Sequence, residues 1–169
     1  MIEKYIQFRN DVDKIISYLE DIHKEHISCH KGCCHCCINL SVWPIEYYSI
    51  IEIMKRDNFS LQKIEKTQES CCFLKESCCQ IYPYRPIICR THGLPVAFKE
   101  QEDDESCQVS FCEKNFTTAQ NLEFHSQNTL SLEEVNRILY ILNYEFVKQN
   151  NDMTPELRIP LMQLFSTTK

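Results

Sequence analysis

Cysteine is concentrated in two short segments of this chain. Of the 12 cysteines among 169 residues, five lie in CHKGCCHCC at positions 29–37 and five lie in CCFLKESCCQIYPYRPIIC at positions 71–89. Cysteine at this density either crosslinks a secreted protein through disulfides or supplies thiolates to a metal. In both cases the fold has to bring two distant segments together around their sulfur atoms.

The N-terminal residues distinguish between these two roles. The sequence MIEKYIQFRN mixes charged with apolar residues and lacks the continuous apolar stretch of a secretory signal. We therefore expect a cytoplasmic protein, in which thiols stay reduced and are available as metal ligands. A disulfide framework is the alternative.

Composition limits the other functions that the chain can have. Hydrophobic residues make up 43% of the sequence, which suffices for the core of one domain spanning residues 1–169. No apolar run approaches the ~20 residues that cross a bilayer, so no membrane span is predicted. The formal net charge of -6 argues against nucleic acid as a partner, whereas a protein partner stays open. With only two glycines, Gly32 and Gly93, glycine-rich phosphate loops are excluded.

Apolar residues at helical spacing predict long helices near both ends of the chain. The first should end before the Cys29 segment, and its apolar stripe comprises Tyr5, Phe8, Val12, Ile15, Ile16, Leu19 and Ile22. A second helix should begin at Pro44, because proline suits the first helical turn. Ser131 and Glu134 form a capping-box pattern that opens a further helix. The stripe of that helix comprises Val135, Ile138, Leu139, Leu142 and Phe146.

Three shorter helices are also predicted. The first spans about Ser60–Glu69 with Ser60 as its cap, and the second spans Asn115–Asn128. The third begins at Thr154 and is interrupted by Pro160. The acidic stretch Glu100–Glu105 is predicted to be a solvated loop.

Residues 71–90 have no helical period and instead predict a small β-hairpin. Phe73-Leu74 and Gln80-Ile81-Tyr82 would form its strands, joined by Lys75-Glu76-Ser77. Because neighbouring strand residues point to opposite faces, only one cysteine of each pair, 71/72 and 78/79, can face a common site. The predicted fold is therefore mostly α, with helices flanking a small irregular cysteine-rich β-hairpin that holds a metal site.

The first cysteine segment contains the spacing of a metal-ligand knuckle. In Cys33-x2-Cys36, two intervening residues let both sulfur atoms reach one ion from a tight turn. Cys34-x2-Cys37 offers the same spacing one residue along the chain. Spacing alone does not show which of these two cysteine pairs binds the ion.

The second segment is the source of the remaining ligands. It supplies Cys89 and, if they share one face of the hairpin, Cys71 and Cys79. Zinc and iron both accept thiolates, usually four, at about 2.3 Å. Two arginines, Arg85 and Arg90, flank these cysteines. Each either offsets thiolate charge by donating to sulfur or pairs with a carboxylate that fixes the loop.

The order of these motifs is specific. Across residues 29–112 it runs Cys-x3-Cys-x2-Cys-Cys, Cys-x-Phe-Leu, Cys-x-Ile-Tyr and Arg-Pro-x2-Cys-Arg. This order resembles the bacterial CxxCxxCC family of zinc- or iron-chelating domains, the YkgJ-type cysteine-cluster proteins, although the first gap here has three residues instead of two. The resemblance implies a metal-binding protein. By position, it implies metal ligands at Cys29, Cys33, Cys36, Cys37, Cys71, Cys79, Cys89 and Cys112.

The identity of the metal is a separate question. Doubled cysteines resemble the nests of iron-sulfur clusters more than simple zinc fingers, so we favour iron, or an iron-sulfur cluster, over zinc. A purely structural zinc module is one alternative. The chain is also similar to the cysteine-rich region of flagellin lysine N-methylases. That similarity implies an accessory or catalytic component of a protein-modification system, and whether the chain is an enzyme stays open.

Two catalytic interpretations compete with plain metal binding. Cys29-x3-Cys33-x2-Cys36 has the spacing of radical S-adenosylmethionine enzymes, a family whose partial barrel has glycine-rich strands. Cys89 and His92 have the residue types of a thiolate-imidazole nucleophile, but the sequence identifies no substrate.

Overall fold

A computed structural model describes residues 1–30, 32–62, 70–100, 107–118, 122–150 and 152–167. Its helices in these ranges are α1 (Ile2–Ile22), α2 (Pro44–Arg56), α3 (Ile87–Thr91), α4 (Leu132–Lys148) and α5 (Leu164–Thr167). Its strands are β1 (Ser41–Val42), β2 (Leu74–Lys75), β3 (Cys78–Cys79), β4 (Val96–Phe98), β5 (Gln108–Ser110), β6 (Leu130–Ser131) and β7 (Ile159–Pro160). Short 3-10 segments cover Tyr82–Tyr84 and Leu161–Gln163. The regular structure of the described residues is mostly helical, as the sequence predicts.

Helix α2 lies between two hydrophobic cores. On one side it packs against α1 and α4, where Tyr5, Ile45 and Leu139 are buried. On the other side, Met54 and Phe73 are buried in a core shared with the hairpin segment. Burial of a large apolar side chain contributes about 1.5–3 kcal/mol. The two cores together make α2 the element against which the cysteine-bearing segments are positioned.

The three long helices are confirmed. Helix α1 ends well before the first cysteine segment and buries four of its seven predicted stripe residues, while Ile15 and Ile22 are exposed. Helix α2 begins at Pro44, which is in its first turn. The hydroxyl of Ser131 caps α4 by accepting the N–H of Glu134 at 3.3 Å.

A hairpin is also found in this segment, but its strands lie elsewhere than predicted: β2 begins one residue after Phe73, and β3 ends before the predicted strand Gln80-Ile81-Tyr82 begins. Strands β2 and β3 pair antiparallel, and Leu74 is the partner of Cys79. Glu76 and Ser77 both have positive φ, 49° and 61°, which suits a two-residue turn whose twist matches that of the strands. Cys79 is half-buried and Cys78 is exposed, so the two neighbours face opposite ways.

The prediction of a helix over Asn115–Asn128 is wrong. The described residues of this range form turns and irregular backbone. The side-chain oxygen of Asn115 accepts the N–H groups of Ser28 and Cys29, at 2.9 and 3.2 Å. Phe116 has a φ of 60°, which lies outside the right-handed helical region. Long-range hydrogen bonds to an asparagine side chain thus replace local helix formation here.

The C-terminal helix begins later than predicted. Residues 154–157 form a turn in which the N–H of Leu157 donates to the carbonyl of Thr154 at 3.1 Å. Ile159 is buried in β7, which pairs with β1, and the chain becomes α-helical only at Leu164. Strand pairing after the turn therefore overrides the helix start at Thr154.

A three-stranded sheet, in the order β5-β4-β6, was not predicted. Strand β4 pairs antiparallel with β5 and parallel with β6. The predicted helix at Ser60–Glu69 lies largely outside the described residues, and so does the acidic stretch Glu100–Glu105. Among the described residues, no helix is both long and apolar enough to cross a bilayer.

Candidate metal centre

Three hydrogen bonds join residues 37–39, at the end of the first cysteine segment, to residues 70–72, at the start of the second. The N–H of Cys71 donates to the carbonyl of Cys37 at 3.0 Å. The side chain of Asn39 accepts the N–H of Cys72 at 2.9 Å and donates to the carbonyl of Ser70 at 3.2 Å. These contacts place Cys37 beside Cys71.

Two further cysteines come from other elements. Cys79 lies in β3 of the hairpin, and Cys89 lies in the middle of α3. Both are half-buried. We call Cys37, Cys71, Cys79 and Cys89 the first thiol set.

The members of the first thiol set lie close enough to perturb one another. Burial, together with the neighbouring Cys71 and Cys79, raises the pKa of Cys89 to about 12. Burial, followed by Cys36, Cys71 and Cys79, raises the pKa of Cys37 to about 12. Cys37 and Cys89 are therefore protonated thiols at neutral pH, and a cation that replaced these protons would be stabilised by several sulfur atoms at once.

Arg85 supplies positive charge beside the first thiol set. Its guanidinium opposes the rise in the pKa of Cys89. Its Nη1 donates to the carbonyl of Cys89 at 3.0 Å, and its guanidinium lies 3.7 Å from the centre of the Tyr82 ring. Among the described residues, the hydrogen bonds of Arg85 go to the backbone carbonyls of Tyr82 and Cys89 and not to sulfur, so the predicted donation to a thiolate is not found; only the charge of Arg85 acts on Cys89.

Arg90 has the other role. Its Nη1 donates to both carboxylate oxygens of Asp13, at 2.9 and 2.8 Å, and its Nε donates to the carbonyl of Arg85 at 2.7 Å. The Arg90 side chain is only 8% exposed. This pair therefore fixes the end of α3 to α1.

We expect Arg90→Lys to destabilise the fold by about 2 kcal/mol, because an ammonium cannot replace the forked hydrogen bonds of a buried guanidinium. Urea unfolding measures this free energy. Arg56→Lys is the matched control, since Arg56 pairs with Glu3 on the surface, and a much smaller change is expected there. Equal effects of the two substitutions would contradict the anchoring role of Arg90.

Glu46 of α2 holds the beginning of α3. It is 2% exposed, and its Oε1 accepts the N–H of Ile87 at 3.1 Å. Its Oε2 accepts the N–H of Trp43 at 3.3 Å, and the hydroxyl of Tyr5 donates to Oε1 at 3.5 Å. The helix that carries Cys89 is thus held at both ends, by the carboxyl group of Glu46 and the guanidinium of Arg90.

A second group of cysteines lies around Gly93. A Cβ added at Gly93 would lie 3.4 Å from Cys29 Sγ, 3.6 Å from Asn115 Nδ2 and 3.8 Å from Cys112 Cβ. The pKa of Cys29 is raised by burial and then by Cys112 and Cys33, against a hydrogen bond from the Asn115 side chain that lowers it. We call Cys29, Cys33 and Cys112 the second thiol set.

The donor atoms of both sets fit a soft metal. Sulfur ligands gathered from separate segments are the usual ligands of structural zinc and of iron-sulfur clusters. Among the described residues, no group of three or more His, Cys, Asp or Glu side chains has an arrangement that could hold a metal ion. The hairpin metal site is therefore still a prediction.

The comparison with known families agrees with the sulfur chemistry. Residues 28–123 match the CxxCxxCC family, which is described as a "putative zinc- or iron-chelating domain". The chain belongs to the CxxCxxCC family. The match covers more than half of this CxxCxxCC protein and confirms the resemblance seen over residues 29–112. No curated protein and no solved structure matches it significantly.

The structure distributes the eight predicted ligands of this CxxCxxCC protein over two places. Cys33 lies with Cys29 and Cys112, whereas Cys37 lies with Cys71, Cys79 and Cys89. Cys36 is exposed and adjoins the first thiol set through Cys37. Nothing in the geometry tests ligation itself, so the ligand assignment stays a prediction.

The histidines near the cysteines are at the surface. His30, His35 and His92 are all exposed. A nucleophilic cysteine needs a lowered pKa, and that of Cys89 is raised, which argues against its pairing with His92 as a catalytic dyad. The helical fold of the described residues also differs from the barrel that radical S-adenosylmethionine enzymes require.

Three polar residues that join the segments of the site were not predicted from the sequence. Asn39, Glu46 and Asn115 each bridge segments that are distant in the sequence. The sequence feature that could have indicated this part of the site was Gly93, one of two glycines in the chain. In the structure, Gly93 has a φ of 97°. A rare glycine beside a cysteine-arginine motif indicates a close approach of other groups.

Proposed function

We propose that this protein chelates iron, in the form of an iron-sulfur cluster, through the first thiol set. The observation that carries the proposal is the convergence of Cys37, Cys71, Cys79 and Cys89 from a turn, a loop, a strand and a helix. Four cysteine thiolates are the usual ligands of such a cluster. Membership of a zinc- or iron-chelating family supports the same chemistry.

The electrostatics of the first thiol set favour the binding of a metal cation. Burial and mutual proximity penalise free thiolates at Cys37 and Cys89, so their negative charge is stable only when a cation accompanies it. Arg85 supplies a further positive charge next to Cys89. In a cluster-bound protein, this arginine would help to set the reduction potential.

The position of the first thiol set favours a redox role over a sealed structural one. Cys36, the neighbour of Cys37, is exposed, and so is Cys78 beside Cys79. A cluster at this depth would exchange electrons with a partner or sense oxidants at the surface. We therefore propose electron transfer or redox sensing, with a protein as the partner.

Anaerobic purification followed by analysis of iron, zinc and acid-labile sulfide tests this function. We expect iron and sulfide in the purified protein and a visible absorbance that dithionite bleaches. A colourless protein with stoichiometric zinc would replace the redox role with a structural zinc module. A folded protein without any bound metal would overturn the proposal altogether.

A further inference from the structure

We propose that the cavity between helix α2 and strand β7 binds a small aromatic carboxylate. Its volume is about 370 Å³, which is within the range of small-molecule sites. Tyr47 and Tyr48 of α2 line it together with residues 157–160 from the C-terminal part of the chain. Residues 157–160 lie outside the region 28–123 that matches the CxxCxxCC family, and no cysteine is among the described residues that line the cavity. Metal chelation therefore does not account for this cavity.

The charge of the cavity comes from Arg158. Among the described residues that line the cavity, it is the one that carries a charge. Within the described part of the chain no carboxylate forms an ion pair with Arg158, and Glu46 acts on it only through its field. The carboxyl oxygens of Glu46 instead accept the N–H groups of Ile87 and Trp43. The N–H groups of Arg158 are therefore available to an anion, and its single positive charge matches one carboxylate.

An aromatic stack holds Arg158 in place. Its guanidinium lies 3.4 Å from the centre of the Trp43 ring. The Trp43 ring in turn contacts that of Tyr140 edge to face, with 6.1 Å between the ring centroids. Stacking uses the face of the guanidinium and leaves the N–H groups at its edge free to donate. Because the side chain is already ordered, little conformational freedom is lost when an anion binds.

Tyr47 adds a second hydrogen-bonding group. The residue is 4% exposed and lines the cavity. No described residue forms a hydrogen bond with its hydroxyl, although tyrosine hydroxyls that are buried usually have a partner. The hydroxyl is also not one of the fully buried atoms that lack a partner, so it is accessible from the cavity. It can therefore donate to a carboxylate oxygen.

The walls of the cavity favour an aromatic ligand. The rings of Tyr47 and Tyr48 are perpendicular, with an interplanar angle of 89° and 5.4 Å between their centroids. Pro160 adds a flat apolar surface. An aromatic ring in the ligand would contact these groups face to face or edge to face. The net charge of -6 on the chain argues against a larger polyanion.

Titration calorimetry with phenylacetate, on the full-length chain purified without oxygen, tests this site. We expect a dissociation constant of roughly 1 mM or lower, in keeping with the binding energy per atom of small ligands. The neutral phenylacetamide should bind much more weakly. Because Trp43 is the single tryptophan of the chain, its fluorescence should change when phenylacetate binds. Arg158→Gln should weaken the binding of phenylacetate about tenfold or more, since it removes the charged hydrogen bonds. Tyr47→Phe should weaken it by a smaller factor.

Arg137→Gln is the matched control, because Arg137 is exposed on α4 and does not line the cavity. This variant should bind phenylacetate as the unmodified protein does. Equal affinities of Arg158→Gln and Arg137→Gln would overturn the proposal, and so would equal binding of phenylacetate and phenylacetamide. The absence of phenylacetate binding up to about 10 mM would also overturn it. Circular dichroism verifies folding. If Arg158→Gln does not fold, Arg158→Lys provides the test, because it keeps the charge but loses the planar arrangement of donors and should also bind phenylacetate more weakly.

Discussion

Replacing Cys79 by serine is expected to abolish metal binding at the first thiol set, whereas replacing its neighbour Cys78 should leave it intact. The two residues are adjacent in β3, but Cys79 lies among the thiols of the set and Cys78 is exposed. Loss of one thiolate of four should cost roughly 3 kcal/mol of the binding free energy. For a chain of this length, that corresponds to a melting temperature lower by roughly 10 °C. Metal analysis and thermal unfolding of the two variants measure these effects.

The comparison of Cys78 with Cys79 is informative because both substitutions have the same chemistry. A general effect of removing cysteine from the hairpin would appear in both variants. Equal metal content in Cys78→Ser and Cys79→Ser would contradict the assignment of Cys79 to the first thiol set.

The second large effect is expected for Glu46→Ala, which should destabilise the fold by about 3 kcal/mol. The substitution leaves the buried N–H of Ile87 and the hydroxyl of Tyr5 without their acceptor. It should also weaken metal binding, because Ile87 begins the helix that carries Cys89. Urea unfolding measures the free energy. Glu52→Ala on the same helix is the control, since Glu52 pairs with Arg56 at the surface and should contribute below about 0.5 kcal/mol.

Glu46 should also make stability depend on pH. Burial is the main cause that raises the pKa of Glu46 above its ordinary value of 4.5. A raised pKa means that the folded state favours the protonated carboxyl. The contribution of Glu46 is therefore fully present below pH 4.5 and declines as the pH rises through the folded-state pKa. The difference in unfolding free energy between the unmodified protein and Glu46→Gln should shrink as the pH rises from 4.5 through the folded-state pKa of Glu46. A difference that does not change with pH would contradict a raised pKa of Glu46 in the folded protein.

The sequence was sufficient to predict the elements whose signals are local. The apolar stripe of α1, the proline at the start of α2 and the cap formed by Ser131 each depend on residues within one or two helical turns. The hairpin was also predictable, although its turn residues, Glu76 and Ser77, are not typical for positive φ.

The elements that were not predicted depend on contacts between residues that are distant in the sequence. Asn115 was placed in a helix because nothing near it shows that its side chain accepts hydrogen bonds from Ser28 and Cys29. The three-stranded sheet was missed for a similar reason, since β4 pairs in parallel with β6, which follows at a distance in the chain.

Which cysteines lie together in the fold could also not be predicted from the sequence. Cys33-x2-Cys36 and Cys34-x2-Cys37 have identical spacing, so no rule of spacing selects between them. In the folded chain, Cys37 joins the first thiol set because its carbonyl accepts the N–H of Cys71. Cys33 lies with Cys29 instead. The sequence predicts which cysteines bind metal, and the fold determines which of them are neighbours.

X-ray absorption at the edge of the metal that co-purifies with the anaerobic protein is the most direct test of the central claim. We predict a first coordination shell of sulfur at about 2.3 Å, with an iron-iron distance beyond it, and loss of this signal in Cys79→Ser. A shell of nitrogen and oxygen, or a sulfur shell unchanged by Cys79→Ser, would contradict the claim that the first thiol set holds the metal.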